Sequence, residues 1–184
     1  MLYWLRLLAL ISLLLFTTSL TANGLFPIGN SQLKGIDDNV EPLDPEQAFL
    51  INPPIFDGKD ITIGFTITKG YYLYRDKFKV NLLDINGFAA GSLVTPAGIE
   101  KQDPAFGKVE VIHDQANIKL PLTRTNNASA SFLMDVTWQG CFEQLKVCYP
   151  PQRKGFMVTA PAISAGQTMN VDDVIFNEAA LPDD

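Results

Sequence analysis

The sequence predicts an all-β protein, an immunoglobulin-like antiparallel β-sandwich, and three observations carry that expectation. Apolar and polar residues alternate with period two in several short blocks, as half-buried strands require. Turn-forming Gly, Pro, Asn and Asp separate the blocks. No convincing 3.6-residue apolar period supplies the crossover helices that a parallel sheet would need. Composition agrees: 184 residues with 47% hydrophobic and 18% charged side chains are enough for one domain around one core. A net charge of −6 without a basic run argues against nucleic acid, whose binding draws on clustered Lys and Arg.

Taken in order, residues 1–22, MLYWLRLLALISLLLFTTSLTA, join one positive charge at Arg6 to an apolar run from Leu7 to Phe16 and a polar stretch ending in Ala22. This is the pattern of a secretory signal peptide cleaved near Ala22 and Asn23. Its apolar core is about ten residues, short of the ~20 that a membrane-spanning helix needs. Removal of the segment leaves a mature chain without a membrane span, in an oxidising compartment where two cysteines persist as a disulfide.

Residues 23–164 form the expected sandwich domain. Its start, Asn23 to Asp60, is too rich in Gly, Pro, Asn and Asp for a long regular element and reads as an extended arm. Within it, DPEQAF supports one helical turn, with Asp44 as cap and Pro45 at the first helical position. From there Ile61, Ile63, Phe65 and Ile67 share one strand face, and DGKD at Asp57–Asp60 is the turn before it. Phe78, Val80 and Leu82 form the next apolar face, followed by Val109 with Val111, then Ile118 with Leu120 and Leu122. Phe132, Met134, Val136 and Trp138 align in a further strand, and GFMVTA forms one more. The segment from Ala165 to Asp184, small and acidic, is expected to be a loose tail or the start of a linker.

The two cysteines, Cys141 and Cys148, are separated by six residues and followed closely by Pro150 and Pro151. Strand parity places Cys141 on the face opposite Phe132, Met134, Val136 and Trp138, away from the main core, unless Gly140 introduces a bulge. A bridge between facing residues of adjacent antiparallel strands is geometrically feasible. Closing so short a loop stabilises by only about 2–3 kcal/mol on the chain-entropy account, which makes the pair a poor staple for the whole domain. Two functions fit: a redox-active pair, or a structural hairpin disulfide in a secreted β-sandwich binding module. A single His113 without other ligands gives no metal site, and no GxSxG, P-loop or GxGxxG pattern occurs.

Three blocks in fixed order, GYYLYRDKFKV (Gly70–Val80), DPAFGKVEVI (Asp103–Ile112) and VTWQGCFEQLKVCYPPQ (Val136–Gln152), together resemble the N-terminal periplasmic domain of the DsbD family of thiol:disulfide interchange reductases. The resemblance runs from Gly24 to about Ala160. It implies an immunoglobulin-like domain that relays electrons in the periplasm by thiol–disulfide exchange, with no metal or organic cofactor. The implied partners are thioredoxin-like: a DsbD C-terminal-domain-like donor and a DsbC-like acceptor. It also implies that Cys148 forms the mixed disulfide and Cys141 resolves it. A protective loop, here DPAFGK, would shield the pair with Phe106; the family pattern has two adjacent aromatics before GK, where this chain has Ala105 and Phe106. Tyr72, Tyr74 and Asp103 correspond to residues beside that site. The family pattern places five residues between the cysteines, and the sixth found here is expected to change the hairpin register or add a bulge.

Overall fold

Alternation becomes burial along the strands of the computed structural model, which describes residues 40–182. The expected signal peptide and the arm as far as Asn39 lie outside the described residues. A single helical turn, α1 (Pro45–Ala48), leads into β1 (Phe49–Ile51), β2 (Ile55–Phe56), β3 (Asp60–Ile67) and β4 (Tyr71–Tyr74). There follow β5 (Lys79–Leu83), β6 (Phe88–Ala90), β7 (Ile99–Asp103), β8 (Gly107–Ile112), β9 (Gln115–Arg124) and β10 (Ala130–Trp138). The last are β11 (Gly140–Phe142), β12 (Val147–Cys148), β13 (Gln152–Ala160) and β14 (Ile175–Ala179).

All pairings are antiparallel. One sheet has the order β1-β3-β9-β6, with β2 also on β3, and a second has the order β14-β13-β10-β5. Ile61, Ile63 and Phe65 of the first join Phe132, Met134 and Val136 of the second in one buried core, the two inner faces of a sandwich. Trp138 packs on Phe65 with ring centroids 5.3 Å apart. A third sheet, β12-β11-β4-β8-β7, carries both cysteines.

Two local expectations resolve in detail. Asp44 starts α1 through its backbone carbonyl, which accepts the amides of Gln47 and Ala48 at 2.9 Å, and its side chain makes no capping bond. In the DGKD turn Asp57 Oδ1 accepts the amides of Lys59 at 3.0 Å and Asp60 at 2.7 Å, as an Asx turn does. The segment 165–184 departs from expectation. Rather than a loose tail, it contains β14, which pairs Ile175–Ala179 against Thr159–Gly155 of β13. Val174 and Phe176 rest on the core, and Lys154 Nζ meets Glu178 Oε1 at 2.5 Å. An otherwise open sheet edge and these two apolar side chains outweigh the acidic composition.

Candidate active site: a cysteine pair at a sheet edge

The site begins where the chain leaves one sheet for another. β10 stops at Trp138, the Gln139 carbonyl accepts the Tyr74 amide at 3.0 Å, and β11 then pairs with β4, Cys141 opposite Tyr72. Gly140 permits this handover, because a Cβ there would lie 2.6 Å from Phe49 Cζ and against the Tyr72 carbonyl. The chain then turns through Glu143–Lys146 into β12, which sets Cys141 opposite Cys148 and Phe142 opposite Val147. The two cysteines are disulfide-bonded, with Cα atoms 3.9 Å apart. The sixth intervening residue therefore enters the turn, where Lys146 adopts φ 54°, and the two-residue ladder carries no bulge.

The two sulfurs occupy unlike surroundings. Cys141 is fully buried with Tyr72, Tyr74 and Val111 in a small cluster separate from the main core, in line with its strand parity. Cys148 is exposed, on the outermost strand of the sheet. Behind it Tyr149 is firmly anchored. Its amide reaches the Gly140 carbonyl at 3.0 Å, its carbonyl accepts Gln139 Nε2 at 3.0 Å, and its hydroxyl donates to the Leu43 carbonyl at 2.5 Å. The Leu43 amide in turn donates to the Tyr71 hydroxyl at 2.7 Å. Burial and the neighbouring Tyr71 push the Tyr149 hydroxyl up to about 12.

Tyr72, Tyr74 and Asp103 converge on the pair. The Tyr74 hydroxyl oxygen lies 3.1 Å from Cys141 Sγ and 3.5 Å from Cys148 Sγ. Its proton goes to Asp103 Oδ2 at 2.7 Å, which also accepts from the Tyr72 hydroxyl at 3.3 Å. Asp103 Oδ1 accepts the amides of Ala105 at 2.8 Å and Phe106 at 3.0 Å, so one carboxylate shapes the loop and holds both tyrosines. Burial opposes the Asp103 charge. The bonds from Tyr74, the two amides and Tyr72 nevertheless hold its carboxyl below the usual range. Burial first, then the bond to Asp103, raises the Tyr74 hydroxyl above its ordinary value and keeps it protonated.

Phe106 sits edge-on to Tyr74 with centroids 5.3 Å apart, under the Lys77 ammonium at 4.7 Å, and remains 45% exposed. The six residues singled out from the sequence thus lie together. The sequence reading missed the Tyr149–Leu43–Tyr71 anchor and the Lys101–Glu143 ion pair, whose Nζ–Oε1 distance is 2.5 Å. Only the adjacency of Tyr149 to Cys148 and of Tyr71 to Tyr72 could have signalled the first.

Fold and site together define an immunoglobulin-like domain that carries a disulfide hairpin with one buried and one exposed sulfur. The chain belongs to the family described as thiol:disulfide interchange protein DsbD, N-terminal, whose profile matches residues 39–160. It is 31% identical over 155 residues to thiol:disulfide interchange protein DsbD 1 of Pseudomonas aeruginosa, covering 83% of this chain and 26% of that protein. Against the DsbD of Ralstonia nicotianae the identity is 35% over 123 residues, covering 66% of this chain and 19% of that protein. The chain thus spans about a quarter or less of the length of these relatives. The reduced DsbD N-terminal domain of Neisseria meningitidis superposes with a TM-score of 0.56 at 28% identity, covering 65% of this chain and 91% of that one. The same organism's complex between the DsbD N-terminal and PilB N-terminal domains matches with a TM-score of 0.54 at 27% identity, covering 64% and 88%. Among the described residues no helix is long and apolar enough to cross a membrane.

Proposed function

We propose that this domain passes reducing equivalents in the periplasm by thiol–disulfide exchange, with Cys148 as the sulfur presented to partners and Cys141 as the resolving sulfur. The observation that carries the reading is the asymmetry of the pair: Cys148 is exposed and Cys141 fully buried. In the reduced domain the Cys148 thiolate attacks one sulfur of a partner's disulfide, the partner's bond breaks, and its other sulfur leaves as thiolate. Cys141 then attacks Cys148 Sγ, the internal disulfide forms, and the partner departs carrying both electrons. Tyr74 serves the proton side of this exchange. Its own hydrogen is committed to Asp103, so its oxygen is left to accept a thiol S–H from the reduced pair, and the ionised Asp103 behind it favours the protonated thiol until a partner docks.

The N-terminal export pattern supports the compartment. Family membership and the solved complex of a relative with a PilB N-terminal domain support docking of thioredoxin-like partners, a DsbC-like acceptor and a DsbD C-terminal-domain-like donor. The test is mixed-disulfide trapping with a thioredoxin-like periplasmic protein. Cys141→Ser, which leaves Cys148 without its resolving partner, should accumulate the adduct, and Cys148→Ser should accumulate little. Equal trapping by both variants refutes the assignment of roles. Trapping by neither favours a structural disulfide in a binding module.

A further inference from the structure

A cavity of about 310 Å³ opens beside Cys148, between the loop that carries Ala105 and the turn that joins the cysteines. Tyr72, Pro104 and Ala105 give it carbon-rich walls, while Lys101, Glu143 and Lys146 bring charge to it. Most of that charge is already committed. Asp103 is held by two hydroxyls and two amides, and Glu143 by Lys101, whose ammonium also lies 4.9 Å from the Tyr72 ring centroid. Of the cavity's four charged side chains, Lys146 alone has neither an ion pair nor a side-chain hydrogen bond with a described residue. The turn fixes it in a left-handed conformation two residues before Cys148. An exposed sulfur, a cavity of the size that takes a small molecule and an uncommitted ammonium therefore meet at one place.

We propose that this cavity is a subsite for small disulfides bearing a carboxylate a few bonds from sulfur, which the reduced cysteine pair cleaves to thiols. The inference rests on the exchange reading above and adds a substrate class to it. The Cys148 thiolate attacks one sulfur of R–S–S–R, the substrate bond breaks, Cys148–S–S–R forms and the first RS⁻ leaves. Cys141 attacks Cys148 Sγ and displaces the second RS⁻. Two electrons pass from the cysteine pair to the substrate, and the two protons of the dithiol end on two RSH. Lys146 pairs with the carboxylate and holds the substrate's sulfur over Cys148, and the space left by the small Ala105 side chain receives the R group.

The experiment oxidises dithiothreitol-reduced, desalted protein with dithiodipropionate (anionic), hydroxyethyl disulfide (neutral) or cystamine (cationic). The remaining thiols are counted by alkylation and mass at timed intervals. Lys146→Glu should slow dithiodipropionate about tenfold and accelerate cystamine by a similar factor. That is the effect of reversing one unit charge at roughly 6 Å in a water-like medium. Hydroxyethyl disulfide should change less than twofold, and the contrast should collapse in high salt. Ala105→Phe, which fills the cavity, should slow all three several-fold. The same rate ratio for all three reagents in Lys146→Glu overturns the proposal, as do unchanged rates in a folded Ala105→Phe. Because Lys146 is exposed on a turn, its variant decides alone if Ala105→Phe does not fold. Unreactive small disulfides with intact mixed-disulfide trapping would refute this subsite and leave the exchange function standing, whereas loss of both would refute both.

Discussion

Asp103→Asn tests the site most directly, because it keeps the side-chain shape and removes the charge. The Asn oxygen still accepts the amides of Ala105 and Phe106. Its NH₂, in place of Oδ2, cannot accept from the tyrosines, which sit 2.7 and 3.3 Å away in the wild type. Both hydroxyls must turn round and become acceptors. A hydrogen bond to a charged group contributes ~1.5–3 kcal/mol and a neutral one ~0.5–1.5, so the exchange should cost about 2 kcal/mol at neutral pH. The folded-state carboxyl is held below its ordinary 3.8, so its stabilisation is fully present above that value and is lost as pH falls through the lower folded value. Denaturant unfolding of the oxidised proteins should therefore show a gap of about 2 kcal/mol at pH 7 that narrows below pH ~4. In the reduced variant the Tyr74 proton, no longer held by a carboxylate, is free to point at sulfur, and a nearby negative charge has gone. Both changes favour thiolate, and iodoacetamide labelling at pH 7 should rise about tenfold. A stability gap that is the same at both pH values, or slower labelling, would refute this account of Asp103.

Phe106→Ala should raise the rate at which a small thiol reduces the disulfide several-fold in alkylation time courses, because the ring covers Tyr74 beside the sulfurs. Its stability cost should stay near ~1 kcal/mol, since a side chain that is 45% exposed forfeits only part of the 3–5 of a buried Phe; an unchanged rate would shift the shielding role to Tyr72 or Tyr74. Gly140→Ala should lower stability by about 2–3 kcal/mol, read from the denaturant midpoint, because the new methyl meets Phe49 and the Tyr72 backbone together. A wild-type midpoint there would contradict the close strand approach that positions Cys141.

What the sequence disclosed and what it hid divide along a physical line. Period-two alternation reports which face of a strand is buried, so Ile61, Ile63, Phe65 and Ile67, and Phe132, Met134, Val136 and Trp138, were legible as core. The same parity correctly set Cys141 apart from them. Alternation does not report which strand lies alongside. The switch of sheets at Gln139, the pairing of β14 with β13 and the bond from Tyr149 to Leu43 all join residues distant in sequence, and no local pattern encodes them. The tail misled for a related reason: its acidic composition is a local average, whereas Val174 and Phe176 matter because an open strand edge waits for them.

The distribution of support around the cysteines bears on why so short a loop would carry a disulfide at all. The main core draws on β3, β9, β10 and β13, takes in Phe142 beside Cys141, receives Tyr149 beside Cys148 against its side, and includes neither sulfur. Opening the bond therefore removes no sulfur from the main core and releases a loop whose closure contributes about 2–3 kcal/mol. Meanwhile the backbone on either side of the pair is held by other means. Cys141 is paired to β4, and Cys148 is followed by Tyr149, fixed at its amide, carbonyl and hydroxyl. These contacts are expected to keep the hairpin's strands in place with the sulfurs unjoined, so that far-UV circular dichroism of the reduced domain matches that of the oxidised one, and loss of the β signal on reduction would refute this. On the proposed exchange reading, such a bond can be made and broken without loss of the fold, and the exposed Cys148 on its fixed mount would meet each partner at the same place.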